Sequence, residues 1–168
     1  LVAQAAIAEG KYAQGFPSFG PERRGAPVMA FNRVSSTHPI RNRAGILEPD
    51  VVVVLDPSLV EIGNVTSGLK NGGIIIINTT KAIDSFSHLS EKWQVAVIDA
   101  NRIAREELGV PIVNTTMLGA LIKATGIIEL ESMNEPLKAR FGRLAEKNLK
   151  ALKRAFGETQ VKELETVG

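Results

Sequence analysis

Gly72-Gly73-Ile74-Ile75-Ile76-Ile77-Asn78-Thr79-Thr80 sets four consecutive isoleucines between a glycine turn and a polar exit. β-Branched residues favour a strand. A run that is apolar at every position, instead of alternating, is expected of a strand covered on both faces, as in a parallel sheet. Upstream, Val51-Val52-Val53-Val54-Leu55 has the same character and leaves through Asp56-Pro57. Downstream, Gln94-Val95-Ala96-Val97-Ile98 repeats it and leaves through Asp99.

Helical signals fill the spaces between these runs. Asp56-Pro57 places an N-cap residue before a residue favoured at the first helical position, so a helix or helical turn is expected there. Asp99 is placed to cap a helix over 100–108 that Gly109 ends, and Asn114-Thr115 to cap one over 116–125 that Gly126 closes. Gly119 and Ala120 within the latter suit close helix packing. Residues 132–141 read as helical. Leu144, Ala145, Leu149, Leu152, Ala155 and Phe156 then recur at the three-and-four spacing of one helix face. Lys147, Lys150, Lys153 and Arg154 occupy the other positions as a solvated face.

Residues 1–13 have helical composition, 28–34 read as a strand, and 110–113 as a short edge or irregular strand because of Pro111. Residues 14–27 hold so many prolines and glycines that no regular structure is expected of them. Strands alternating with helices over short links imply a single domain, 1–168. Its expected class is α/β: a doubly wound, mostly parallel sheet flanked by helices.

Composition narrows the chemistry. The 168 residues are 44% hydrophobic and 23% charged, ordinary values for a globular chain. There is no cysteine, hence no disulfide, thiolate metal site or cysteine nucleophile, and only two histidines, His38 and His88. Twenty basic and 18 acidic residues give a net charge of +2, too balanced to imply nucleic acid. The apolar runs are far shorter than the ~20 residues of a membrane span. With no signal-peptide pattern, a soluble cytoplasmic protein without membrane partners is expected.

GxGxxG, Walker A, GxSxG and HExxH patterns are all missing, so the sequence offers no complete catalytic constellation. Candidate binding residues come from position instead. Ligands of open α/β sheets sit beyond the carboxyl ends of the strands. Those ends carry Asp56, Asn78, Thr79, Thr80, Asp99, Asn114 and Thr115, each also a plain cap or turn former. Segment 16–27 is the second candidate. Arg23 and Arg24, flanked by Gly20 and Gly25, would let side chains and backbone approach an anion. Phe16 and Phe19 could cover a cofactor or a neighbouring subunit, or fold back onto the core.

The stretch Gly10-Lys11-Tyr12-Ala13-Gln14-Gly15-Phe16-Pro17-Ser18-Phe19-Gly20-Pro21-Glu22-Arg23-Arg24-Gly25-Ala26-Pro27-Val28-Met29-Ala30-Phe31 resembles the gamma-domain family of 2-oxoacid:ferredoxin oxidoreductases, and within it the gamma subunits of the pyruvate synthase type. Asp56-Pro57-Ser58-Leu59, the isoleucine run with Asn78-Thr79, Pro111-Ile112-Val113-Asn114-Thr115 and Met117-Leu118-Gly119-Ala120 extend the likeness over nearly the whole chain. The Arg-Arg-Gly-Ala-Pro-Val block favours members acting on pyruvate and branched-chain 2-oxoacids over those acting on 2-oxoglutarate.

The resemblance implies a hetero-oligomeric enzyme of anaerobic metabolism. It decarboxylates a 2-oxoacid oxidatively, passes electrons to ferredoxin and yields acyl-coenzyme A. Thiamine diphosphate, Mg and [4Fe–4S] clusters are then expected on or with the alpha, beta and delta subunits, none being bound by this chain alone. The chain would be non-catalytic by itself and contribute subunit contacts and the coenzyme A side of the site. On this reading Gly20, Arg23, Arg24, Gly25, Asn78, Thr79, Asn114 and Thr115 are the candidate binding residues. Arg23 and Arg24 serve either as phosphate contacts or as an inter-subunit ion pair. Two alternatives stay open: a stand-alone α/β nucleotide-binding module, and a purely structural assembly subunit.

Family members begin with a strand and a glycine-rich loop of the type His-Gly-Arg-Gly-Gly-Gln-Gly. This sequence starts at Leu1-Val2-Ala3-Gln4, without either, as if inside a helix. A natural segment is expected to precede it.

Overall fold

The computed structural model describes residues 1–18 and 28–164. In chain order the elements are α1 (Val2–Ala8), β1 (Tyr12–Ser18), β2 (Met29–Ser35), β3 (Val51–Val54), α2 (Leu59–Ile62), β4 (Ile74–Asn78), α3 (Ser87–Ser90), β5 (Gln94–Ile98), α4 (Ala100–Leu108), α5 (Asn114–Thr125), α6 (Asn134–Phe141), α7 (Ala145–Glu158) and β6 (Gln160–Lys162). Three 3-10 turns, Ile83–Phe86, Leu130–Met133 and Gly142–Leu144, lead into α3, α6 and α7.

The main sheet has the order β3-β4-β5-β6. The first three strands are parallel, with Val51 opposite Ile74 and Ile74 opposite Gln94, and β6 is antiparallel to β5. Period-two alternation sends the side chains of each strand to opposite faces. Ile75, Ile77, Val95 and Val97 meet Leu69, Phe86 and Leu89 on one face. Ile76, Ala96 and Ile98 meet Ile103, Met117, Ala120, Ala151 and Ala155 on the other. The isoleucine run is therefore buried from both sides, as its composition requires. At ~1.5–3 kcal/mol for each fully buried aliphatic side chain, it anchors the domain. A third cluster joins Ala5 and Ala6 of α1 to Ile122, Ile128, Met133, Leu137 and Leu152.

Several local expectations are corrected. Residues 12–18 form a strand despite Gly15 and Pro17, pairing antiparallel with β2 from Tyr12↔Ser35 to Ser18↔Met29 in a separate two-stranded sheet. A two-stranded ladder leaves one side of each strand open, which is where a proline without an N–H is tolerated. The first helix ends at Ala8, not near residue 13. Gly10, at φ +81°, turns the chain so that the Gly10 and Lys11 N–H groups reach the Ile7 and Ala6 carbonyls.

No strand forms at 110–113. Pro111 lacks the donor, and the chain runs from the left-handed Gly109 straight into α5. That helix starts at Asn114, two residues before the expected start. After Asp56-Pro57 the expected helical turn forms as α2. Pro136 is the third residue of α6, in the first turn, where its missing N–H has no intrahelical acceptor to lose.

Candidate functional site

The polar residues at the carboxyl ends of the strands divide by what they already bond. Asn78, only 1% exposed, spends both ends of its amide on the fold. Its Nδ2 donates to the Leu55 carbonyl at 2.9 Å, and its Oδ1 accepts from the Ala100 N–H at 3.0 Å. It therefore ties the exit of β3 to the start of α4. Asp99 accepts from the Arg102 N–H at 3.0 Å and caps α4 as its position predicts. Asp56 accepts from both the N–H and the hydroxyl of Ser58. These two bonds hold its carboxyl below the usual aspartate value.

Thr79 is the rim residue that borders open space. Its N–H donates to the Ile98 carbonyl at 2.8 Å, and its Oγ1 accepts from the Lys81 N–H at 3.1 Å. It lines a cleft of about 220 Å³ with Glu61, Lys81, Ser85 and His88 over the buried Phe86. Lys81 reaches Glu61 across this cleft at 3.2 Å.

Asn114 and Thr115 lie elsewhere. Asn114 is exposed at the start of α5, where its Oδ1 accepts from the Thr115 N–H at 2.8 Å. It borders a wider, open groove shared with Gln4, Phe16, Phe31, Asn32 and Arg140. Thr115 is fully buried, and its hydroxyl finds no partner among the described residues. The structure thus sets Thr79 and Asn114 in two different depressions and removes Asn78 and Thr115 from the surface. Gly20, Arg23, Arg24 and Gly25 fall outside the described residues, as does Phe19.

The hairpin that leads to them is organised by aromatic contacts. Phe16 packs on Phe31 with ring centroids 5.5 Å apart. Arg33 lies 5.7 Å from the Phe16 centroid and donates to the Ala44 carbonyl at 2.7 Å. Phe16 therefore lies half-buried on its hairpin partner. The sequence marks His88 only as one of two histidines and gives no signal for Arg33, Lys81 and Arg140. No local pattern marks them, because their neighbours come from distant segments.

Two clusters of charge brace the scaffold. Glu9 accepts from Lys11 and from the Glu129 N–H, both at 2.7 Å, while Lys11 also donates to the Ile127 carbonyl. Burial pushes the Glu9 carboxyl up, but hydrogen bonds from Lys11, Ser132 and Glu129 outweigh it and hold the group below its usual value. Between α4 and α7, Arg154 bonds Glu158, Glu107 and Glu106, and Arg102 bonds Glu158. Hydrogen bonds from Arg154 and Arg102 hold Glu158 below its usual value, and those three glutamates raise the Arg154 guanidinium. Among the described residues no group of three or more His, Asp or Glu is placed to hold a metal, and no helix is long and apolar enough to cross a membrane.

The family model "Pyruvate ferredoxin/flavodoxin oxidoreductase" matches residues 1–158. The "Pyruvate/ketoisovalerate oxidoreductases common subunit gamma" of Thermococcus kodakarensis is 53% identical over 167 residues, covering 98% of this chain and 90% of the relative. "Pyruvate synthase subunit PorC" of Methanothermobacter marburgensis is 46% identical over 157 residues, 93% of this chain and 85% of the relative. The crystal structure of pyruvate oxidoreductase subunit PORC from Thermotoga maritima superposes with a TM-score of 0.80 at 36% identity, covering 96% of this chain and 88% of that one. The match runs through both sheets and the helices between them, and the chain belongs to the pyruvate ferredoxin/flavodoxin oxidoreductase family.

Proposed function

We propose that this chain is the gamma subunit of a multi-subunit pyruvate (2-oxoacid):ferredoxin oxidoreductase and has no reaction of its own. The near full-length identity to proteins named as gamma subunits carries this reading. The site supports it, because Asn78 and Asp99 are committed to joining strands to helices and are not free for chemistry.

Alpha, beta and delta subunits are the proposed partners, and ferredoxin the electron acceptor of the assembly. A [4Fe–4S] cluster needs thiolates, and this chain has no cysteine, so its residues do not fit one. Thiamine diphosphate with its Mg is assigned to the other subunits, as the family resemblance implies. This chain's share is subunit contact and the coenzyme A side of the site, with Arg23 and Arg24 meeting either a phosphate or a partner carboxylate. Relatives named as common to pyruvate and ketoisovalerate enzymes suggest that one gamma chain serves two complexes here as well.

Anaerobic purification through a tag on this chain tests the proposal. A complex that reduces a dye with pyruvate and coenzyme A supports it. Activity with 2-oxoisovalerate in a second, separable complex supports the shared role. A partner-free, inactive protein overturns both. Changing Arg23 and Arg24 to Ala then separates the two roles. A raised KM for coenzyme A in an intact complex identifies phosphate contact, and loss of assembly identifies the ion pair.

A further inference from the structure

Asn71-Gly72 is the one Asn-Gly pair in the sequence. It occupies the centre of a turn in which the Gly73 N–H donates to the Lys70 carbonyl at 2.9 Å. Asn71 is exposed, and Gly72 holds φ +75°, a conformation that suits glycine. Asparagine is thermolabile, and a following glycine leaves its side-chain carbonyl open to the next backbone nitrogen.

In that reaction the Gly72 nitrogen bonds to Asn71 Cγ and the Cγ–Nδ2 bond breaks. Ammonia leaves with the amide proton, and a succinimide remains. Water then opens the ring at either carbonyl, giving aspartate or isoaspartate. The reacting nitrogen must be free to give up its proton and turn toward Cγ.

In this fold it is not free. The Gly72 N–H donates to the Lys92 carbonyl at 2.9 Å. The turn around it is held at several further points. Gln94 donates to the Gly73 carbonyl at 2.9 Å, Ile74 to the Asp50 carbonyl at 3.0 Å, and Lys70 to the Pro49 carbonyl at 3.1 Å. The Lys70 ammonium also pairs with Asp50 at 2.7 Å. Swinging the Gly72 nitrogen toward Asn71 therefore loosens the amino ends of β3, β4 and β5 together.

We propose that Asn71 is a deamidation site gated by this turn: closed while Gly72 is bonded to Lys92, and reactive only when the amino edge of the sheet opens. Isoaspartate adds a methylene to the backbone, so the modified turn cannot restore the bond and the edge stays frayed. The site records how often the sheet opens.

The full chain is incubated in mildly alkaline buffer, and deamidation at Asn71 is followed by peptide mapping with isoaspartate detection. The folded chain is expected to react at least about tenfold more slowly than the same chain in concentrated urea. Gly73→Ala is the opening variant, since its Cβ would lie 2.8 Å from the Asp50 carbonyl oxygen and 2.8 Å from Leu69 Cδ1. In a folded Gly73→Ala chain, faster reaction at Asn71 supports the gate and an unchanged rate overturns it. Should that variant not fold, the unmodified chain is followed in urea below its unfolding transition. A rate that rises there supports local opening. A rate that rises only with global unfolding overturns it, as do equal rates in folded and unfolded chains.

Discussion

At the scale of single residues, Gly119 sets a tight constraint between two helices. A Cβ added there would lie 2.1 Å from the Leu152 carbonyl oxygen and 3.0 Å from Ala155 Cβ, both on α7. Backbone cannot yield as a flexible side chain does, so Gly119→Ala must push α5 and α7 apart. The expected cost is ~1–3 kcal/mol, read from the urea midpoint, even though the change is favourable by helix propensity. Asn78 sets a second constraint. Asn78→Leu, close in size, removes both bonds and strands the Leu55 carbonyl and the Ala100 N–H away from water. The expected loss is ~2–4 kcal/mol for two orphaned backbone groups, measured the same way. A loss below half that range would show that water replaces the amide.

The elements depend on charge where the core is thin. α1 has seven residues and is too short to persist alone. Glu9 fastens its end to the loop at Glu129 and Lys11. The Glu9 carboxyl is held below its ordinary 4.5 when folded, so its contribution is complete above 4.5 and fades as pH falls through the folded value. Glu9→Gln should therefore destabilise the chain by ~1–2 kcal/mol at neutral pH and by much less at an acid pH below the folded carboxyl value, where the native carboxyl is itself protonated. Urea midpoints at the two pH values check the sign. Between α4 and α7, Glu158 has the same direction, but its side chain is 36% exposed. Solvent and salt screen it, so Glu158→Gln is expected to cost under ~1 kcal/mol, shrinking further in concentrated salt.

For the whole molecule, α7 is the shared strut. Ala151 and Ala155 pack toward the sheet, and the adjacent Leu152 packs toward Ala5, Ala6 and Leu137. The small hairpin sheet and the main sheet have no strand pairing between them, yet both lean on the helices that α7 organises. Their unfolding should therefore be one transition. Trp93, packed against the opposite face of the sheet, reports on the far side of the molecule. Its fluorescence and the far-ultraviolet circular dichroism should change at the same urea concentration. Separated midpoints would mean that α1 and the hairpin come away first.

The sequence by itself determined the parallel sheet, because the Val51, Ile74 and Val95 runs are apolar without alternation and each exits into a polar turn. Local rules also sufficed for α4, whose Asp99 cap and Gly109 stop act within one turn of the helix. The family resemblance was legible too, carried by stretches spread over the whole chain. Only the tertiary structure decided that Gly15 and Pro17 lie in a strand, since pairing with residues 29–35 supplies what local propensity denies. It alone divided the candidate rim, turning Asn78 into a tie between β3 and α4, burying Thr115, and leaving Thr79 and Asn114 at separate openings. Caps and periodicities are interactions among neighbours in the chain. The fate of a polar side chain depends on which carbonyl or amide, twenty or more residues away, is brought within 3 Å of it.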